Sequence, residues 1–254
     1  MTWVELAIAC TAAFAAGFID AVVGGGGLVQ TPVLLVTFPN LPVASILGTV
    51  KIPSFCGTAV SAWQFQKKID IQWKLVGWIA LAAFCSAMFG SYMVSIIDNK
   101  VLKPILLVVL IIVAIFTYAK KDLGHQHDAL PYAAALWKGI IAGLLIGFYD
   151  GFIGPGTGSF LVLVFITIIG YDFMHASAHA KVVNLATNFA SILYFSYAGH
   201  ILFQLAIPMA AFNMAGGYAG THLALAKGNK FIRIFFLVVV AGTILRFAWD
   251  IFFK

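Results

Sequence analysis

Apolar residues run through this chain in blocks long enough to cross a bilayer, not in the half-polar stripes of a water-soluble fold. Residues 75–97, 104–119, 132–153 and 231–252 are such blocks. A transmembrane helix needs about 20 apolar residues. Lipid offers no partner to an unpaired backbone group, so each block is predicted to be helical. The longest polar stretch, KKDLGHQHDALP at 120–131, reads as a linker. The pattern predicts a glycine-broken apolar segment over 3–37 and spans at 43–66, 73–97 and 101–119. After the linker it predicts a second broken segment over 133–169 and spans at 173–197, 203–225 and 231–252.

Composition agrees with this pattern. Of 254 residues, 62% are apolar and 9% are charged, where a soluble domain carries about 25%. The fifteen Lys and Arg fall mostly at the ends of apolar blocks, where cations anchor helices. The net charge of +6 therefore does not point to nucleic acid. The N-terminus lacks a basic start and carries Glu5, so no signal peptide is expected. Cys10, Cys56 and Cys85 lie inside apolar blocks without CxxC spacing and read as core residues.

Sliding the chain by 130 residues aligns its two halves. GFIDAVVGGG at 17–26 meets GFYDGFIGPG at 147–156, and NKVLKPILLVV at 99–109 meets NKFIRIFFLVV at 229–239. Lys51 meets Lys181, and Gly90 meets Gly220. Chance apolar matches do not align Asp, Lys and Asn. The expected fold is thus an all-α integral membrane protein of two pseudo-symmetric repeats, 1–119 and 132–254, joined by the linker 120–131. Each repeat has a Gly-broken opening segment plus three transmembrane helices.

The opening segment decides how the repeats are related. As one helix, 3–37 would be about 52 Å long, more than a bilayer of about 40–45 Å. If it turns back on itself, each half crosses an odd number of times and the halves are inverted. The inverted arrangement gathers Lys67, Lys68, Lys74, Lys120, Lys121, Lys138, Lys227, Lys230 and Arg233 on one side. It leaves Lys100, Lys103 and Lys254 on the other. A parallel arrangement divides these cations almost evenly. The positive-inside rule favours inversion, with both termini outside.

Apart from Arg246, four charges lie deep in apolar segments: Asp20, Lys51, Asp150 and Lys181. Intramembrane charges are costly and commonly functional. They can also be salt bridges that fix how helices pack. Beside the aspartates lie Gly24, Gly25, Gly26 and Gly27 in one half, and Gly154, Gly156, Thr157, Gly158 and Ser159 in the other. Glycine breaks expose N–H groups and helix N-termini that favour an anion. In repeat-built transporters such breaks form the substrate site. Asn184 and Asn188 share the Lys181 helix face, as Ser54 and Thr58 share that of Lys51. Small and polar residues also join membrane helices without any ligand. Pro53 is expected to kink its helix.

His175 and His179 have a spacing that suits two metal ligands, but no third is apparent and Lys181 would repel a cation. No metal or cofactor is expected. With no nucleophile–base order or Walker loop in a confirming context, no enzyme is expected either. His175, His179 and Asp172 are the only residues that could argue otherwise.

GFIDAVVGGGGLVQTPVLL, GFYDGFIGPGTGSFLVL and AKVVNLATN resemble the sulfite exporter TauE/SafE family, in particular its YfcA-like branch. The resemblance covers nearly the whole chain. It implies a multi-pass secondary transporter of the bacterial inner membrane, acting on sulfite or an organosulfonate and often exporting it. On this reading the partners are a small anion, the lipid bilayer and H+ as a coupling ion. Lys51, Lys181, Asn184, Asn188 and the glycine breaks would bind the anion. Asp20 and Asp150 would couple transport or brace the loops. The competing readings are an anion channel, or uptake of a sulfur-containing or carboxylate anion.

Overall fold

The computed structural model describes residues 2–98, 100–102 and 130–252. The predicted span at 101–119 and the linker at 120–131 lie largely outside these residues. Among the described residues the regular structure is all helical.

Helix α1, Trp3–Val23, opens with a reciprocal cap. The Glu5 N–H donates to Thr2 Oγ1 (3.2 Å), and the Thr2 N–H donates to Glu5 Oε2 (2.6 Å). The helix stops at Gly24, whose φ of 78° is left-handed and whose N–H closes on the Asp20 carbonyl. Then come α2 (Gly27–Thr37), α3 (Val43–Gln66), α4 (Trp73–Ile96) and α5 (Tyr132–Phe152). Helix α3 continues through Pro53 without ending there. Helix α6, Thr157–Val164, widens into a π-helical turn, Phe165–Ile169. Helix α7, Phe173–Tyr197, is capped by Asp172, which accepts from the Met174 and His175 N–H groups. Helix α8, Phe203–Phe252, is interrupted at Gly228 (φ 71°, ψ −167°). By length and composition α1, α3, α4 and α5 can each cross a membrane. At about 1.5 Å per residue, α2 and α6 are too short to do so.

Both glycine-broken openings are hairpins. A Cβ on Gly26 would overlap the Ala16 carbonyl oxygen and lie 2.9 Å from Asp20 Cβ, so α2 starts back against α1. Further along, Leu34 joins Ala9, Cys10 and Ala13 in one apolar cluster. Thr37 and Phe38 share a hollow with Glu5. The end of α2 has thus returned to the start of α1. In the second opening, Thr167, Ile168 and Gly170 share a hollow with Lys138, Ile141 and Ala142. The Tyr149 and Phe160 rings meet at 5.5 Å across that hairpin.

Helix directions follow from which residues touch. Helices α3 and α8 run parallel: the Leu202 N–H donates to Thr49 Oγ1 (3.1 Å), Gly57 lies against Asn213, and Ser61 Oγ donates to the Gly217 carbonyl (3.4 Å). Helices α4 and α7 are parallel too. Gln72 meets His179, Phe84 meets Phe189, and Tyr92 meets Tyr194. In contrast α3 and α7 run antiparallel, with Gly48 against Phe195 at one end and Phe65 beside Lys181 at the other. Helix α1 lies on α8, where Gly17 meets Asn213 and Gly220 meets Phe18. Helix α5 lies on α4, where Gly147 meets Ala83 and Gly90 meets Phe148. Each hairpin therefore packs its long arm on a helix from the opposite half of the chain.

Backbone contact of this kind tolerates no side chain. A Cβ on Gly151 would overlap the Ala87 carbonyl oxygen, whereas one on Gly77 would meet nothing within 4 Å. Overpacking a tight contact costs about 1–3 kcal/mol or more. Gly151→Leu should accordingly lower the thermal unfolding midpoint in detergent by several degrees and broaden the size-exclusion peak, while Gly77→Leu leaves both unchanged. Equal behaviour of the two variants would refute the α4–α5 packing.

Candidate functional site

The four intramembrane charges meet at the centre of the bundle, in crossed pairs. Lys51 of α3 reaches the end of α5, where its Nζ donates to the Asp150 carbonyl (2.7 Å) and lies 3.0 Å from Asp150 Oδ2. Lys181 of α7 reaches the end of α1, where its Nζ donates to the Asp20 carbonyl (2.8 Å). Both lysines are only 4% exposed, so bulk water barely reaches their charge. A helix C-terminus carries partial negative charge. Each lysine therefore holds both a hydrogen-bond acceptor and a helix dipole.

The two pairs differ in the carboxylates. Asp150 is 3% exposed and faces Lys51 with its carboxylate as well as its carbonyl. The Asp20 carboxylate is bound instead by the Thr58 hydroxyl, which donates to Oδ2 at 3.0 Å. No cation among the described residues lies within salt-bridge distance of it.

The two glycine breaks touch at this point. A Cβ on Gly158 would overlap the Gly24 carbonyl oxygen, and one on Gly27 would lie 3.0 Å from Pro155 Cα. Gly154 and Gly156 take φ values of 90° and 87°, a region other residues enter only with strain. Side chains at Gly24 and Gly158 would push the two hairpins apart.

Between the breaks lies a small hollow of about 30 Å³. By volume it admits on the order of two waters. Of the residues singled out from the sequence, Asp20, Gly24, Gly27, Lys51, Asp150, Gly154, Gly156, Thr157, Gly158, Asn184 and Asn188 line it. Lys181, Gly25, Gly26 and Ser159 do not. Lys181 sits behind Asp20, with its Nζ 5.5 Å from the centre of the Phe65 ring. Ser159 Oγ donates to the Val23 carbonyl (3.0 Å), tying α6 to α1. Gly25 and Gly26 form the turn that packs against Ser159 and Ala16.

Ser54 lines the hollow as well, one helical turn beyond Lys51, a position its spacing had indicated. Thr31 and Pro155 also line it. Thr31 belongs to α2 and had no flag in the sequence, because only the reversal of the hairpin brings it inward. Asn188 Nδ2 donates to both the Asn184 carbonyl (2.8 Å) and Asn184 Oδ1 (3.0 Å), which orients the two amides as a unit.

The histidines have a different role. The Gln72 N–H donates to His179 Nε2 (3.0 Å), and His179 Nδ1–H donates to the His175 carbonyl (2.7 Å). Both ring nitrogens are thus occupied, Nε2 in joining the start of α4 to α7 and Nδ1 within α7 itself. His175 Nδ1–H donates to Asp172 Oδ2 (2.7 Å). Among the described residues no three His, Cys, Asp or Glu gather as metal ligands.

The family described as Sulfite exporter TauE/SafE matches residues 9–247 of this chain. The chain belongs to the TauE/SafE family. Its members are membrane proteins, in keeping with the several apolar helices here. The chain is 33% identical over 228 residues to a probable membrane transporter protein of Haemophilus influenzae, covering 90% of this chain and 88% of the relative. It is 32% identical over 246 residues to the probable membrane transporter protein YfcA of Escherichia coli, covering 94% and 87%. A more distant relative, the probable membrane transporter protein YdhB of Bacillus subtilis, is 23% identical over 92% of this chain and 97% of its own length. No solved structure matches the chain.

The geometry of the Lys51–Asp150 pair sets the effect of breaking it. Removing one partner leaves an uncompensated buried charge and costs about 3–5 kcal/mol, whereas apolar replacement of both is far milder. Lys51→Met and Asp150→Leu should each destabilise the detergent-solubilised protein strongly, and the double variant should lose less than the two effects added. A strictly additive thermal-unfolding cycle would contradict the pairing.

Proposed function

We propose that this chain is a secondary transporter of the bacterial inner membrane that moves a small sulfur oxyanion, sulfite or an organosulfonate. The anion would occupy the hollow where the two glycine breaks meet. The observation that carries this reading is the make-up of that hollow. It combines the Lys51 ammonium, the paired amides of Asn184 and Asn188, the Ser54 and Thr157 hydroxyls and the first turn of α6. First-turn N–H groups have no partner within their own helix and carry partial positive charge. Lys181, behind Asp20, adds a second positive charge to the surroundings. The family's description as a sulfite exporter supports the substrate class.

The architecture in this reading is a pair of inverted repeats. Three features support it. The lysine-bearing helices α3 and α7, equivalent at the 130-residue offset, run antiparallel. Equivalent glycines make equivalent contacts, as Gly17 on Asn213 matches Gly147 on Ala83. Both openings return to the side from which they came, as inversion requires. Inverted repeats give alternating access by rocking one half against the other about a central site. The chemistry required is displacement only, so no enzyme activity, metal or cofactor enters the proposal.

An anion channel would use the same residues without coupling, and uptake would run the same cycle backwards. Flux into proteoliposomes separates these readings. Sulfite, sulfoacetate, thiosulfate and sulfate should be compared for entry above protein-free vesicles. Saturable flux with counter-transport of a sulfur oxyanion is expected. Asn184→Leu and Ser54→Leu should reduce it at least tenfold without unfolding the protein. Flux that never saturates supports a channel, and flux indifferent to both substitutions rules out this hollow as the site.

Orientation has its own check. In a cysteine-free background, single cysteines at Lys68 and Lys227 should be labelled by an impermeant thiol reagent only from the cytoplasmic face, and one at Lys100 only from outside. Labelling of residues 68 and 227 from opposite faces would overturn the inverted arrangement.

A further inference from the structure

Two carboxylates and two ammonium groups occupy the centre of the bundle, and their charges cancel. An anion entering the hollow therefore adds negative charge that no resident group neutralises. In a low-dielectric interior an unbalanced charge costs several kcal/mol. The hollow itself is less welcoming still: Asp20 and Asp150 line it, and of the two lysines only Lys51 does. Neutralising one carboxylate would offset one unit of the charge that an anion brings.

The two aspartates are not equal candidates. Asp150 is committed, since Lys51 contacts both its carbonyl and its carboxylate. Protonating it would strip Lys51 of its counter-charge. Asp20 is held differently. Lys181 takes only its backbone carbonyl, so protonating the side chain would weaken the field at Lys181 without breaking a direct contact. Its carboxylate lines the hollow and accepts a single hydroxyl, from Thr58. That hydroxyl can rotate to accept instead, so a protonated Asp20 keeps its partner.

The charged groups facing Asp20 are few. They are Lys181 from α7 and, across the hollow, Lys51 of α3 and Asp150 of α5. Helices α2 and α6 contain no titratable residue. Those of α8 whose side chains are described, Tyr218, His222 and Lys227, are exposed.

We infer that Asp20 is the proton carrier that couples anion movement to H+, while Asp150 is the fixed latch of Lys51. The inference rests on the transporter reading and names the residue that would energise it. The step balances simply. One proton from the aqueous side binds an Asp20 carboxylate oxygen as the anion enters. Both leave on the far side, so anion and proton move in the same direction. The unloaded protein returns with Asp20 ionised and its central charge again zero.

The test measures how far an anion accumulates, which does not depend on its rate of entry. Purified protein is reconstituted into liposomes with the membrane potential clamped at zero by valinomycin and equal potassium. Sulfoacetate and thiosulfate serve as parallel probes, because both keep their charge over about pH 6–8. With one proton per anion, the wild type should concentrate the transported probe about tenfold per unit of pH difference, toward the alkaline side. Asp20→Asn should equilibrate the probe, at whatever rate, to a ratio near one. Asp20→Glu should restore the tenfold ratio.

Several results overturn the assignment. A wild-type ratio near one at every pH difference leaves the transporter reading intact but removes proton coupling. An Asp20→Asn protein that still concentrates the probe places the proton elsewhere. An Asp20→Asn protein that is folded by thermal unfolding yet passes no probe makes Asp20 part of the binding contacts alone. If neither probe enters through the wild type while sulfite or sulfate does, the same ratios are read by uptake of protons alongside that anion, using an entrapped pH dye. If none of the four enters, the transporter reading falls and this assignment falls with it.

Discussion

The crossed contacts between each buried lysine and the end of the opposite hairpin organise the whole bundle. A lysine ammonium in an apolar interior must find acceptors, and the richest ones there are the last carbonyls of a broken helix. Lys51 finds them at Asp150, and Lys181 finds them at Asp20. Because each contact joins the first half of the chain to the second, neither half can satisfy its own lysine. The hairpins are thereby drawn to the centre and held tip to tip.

Tip-to-tip contact is possible only because the breaks are glycine. Gly24 and Gly158 touch through their backbones, and Gly27 rests on Pro155. Along the hairpin arms the same economy recurs, where Gly17 and Gly147 let α1 and α5 lie directly on α8 and α4. Close backbone approach takes the place of the hydrophobic effect, which between helices in lipid has little force. It also leaves a small polar hollow at the meeting point, lined by residues from six helices and both breaks. A site made of two tips can open by separating them, as the proposed alternating access requires.

Within that site the equivalence of the halves is incomplete. Asp150 faces Lys51 as an ion pair, whereas the Asp20 carboxylate takes a hydroxyl instead. Asn184 and Asn188 stand where the first half has Ser54 and Thr58. The asymmetry allows one frame to assign different duties to matching positions, holding one carboxylate fixed and leaving the other able to change its charge.

Much of this was legible in the amino-acid sequence. Apolar block length foretold the helices, because the dimensions of a bilayer leave little choice. The 130-residue offset marked Asp20 with Asp150, and Lys51 with Lys181, as pairs to compare. The glycine runs foretold the breaks, since φ values such as those of Gly24 and Gly154 are open to few other residues. Which lysine meets which aspartate was not legible, nor that Lys181 stands behind the hollow instead of in it. Nor was the inward turn of Thr31, or the use of His179 Nε2 to join the start of α4 to α7. Periodicity and spacing describe one helix at a time. Partners that lie about 100 residues or more apart in the chain, such as Lys51 with Asp150 and Lys181 with Asp20, are chosen only when the hairpins fold back and the halves interlock, because only then do buried charges compete for the few acceptors within reach.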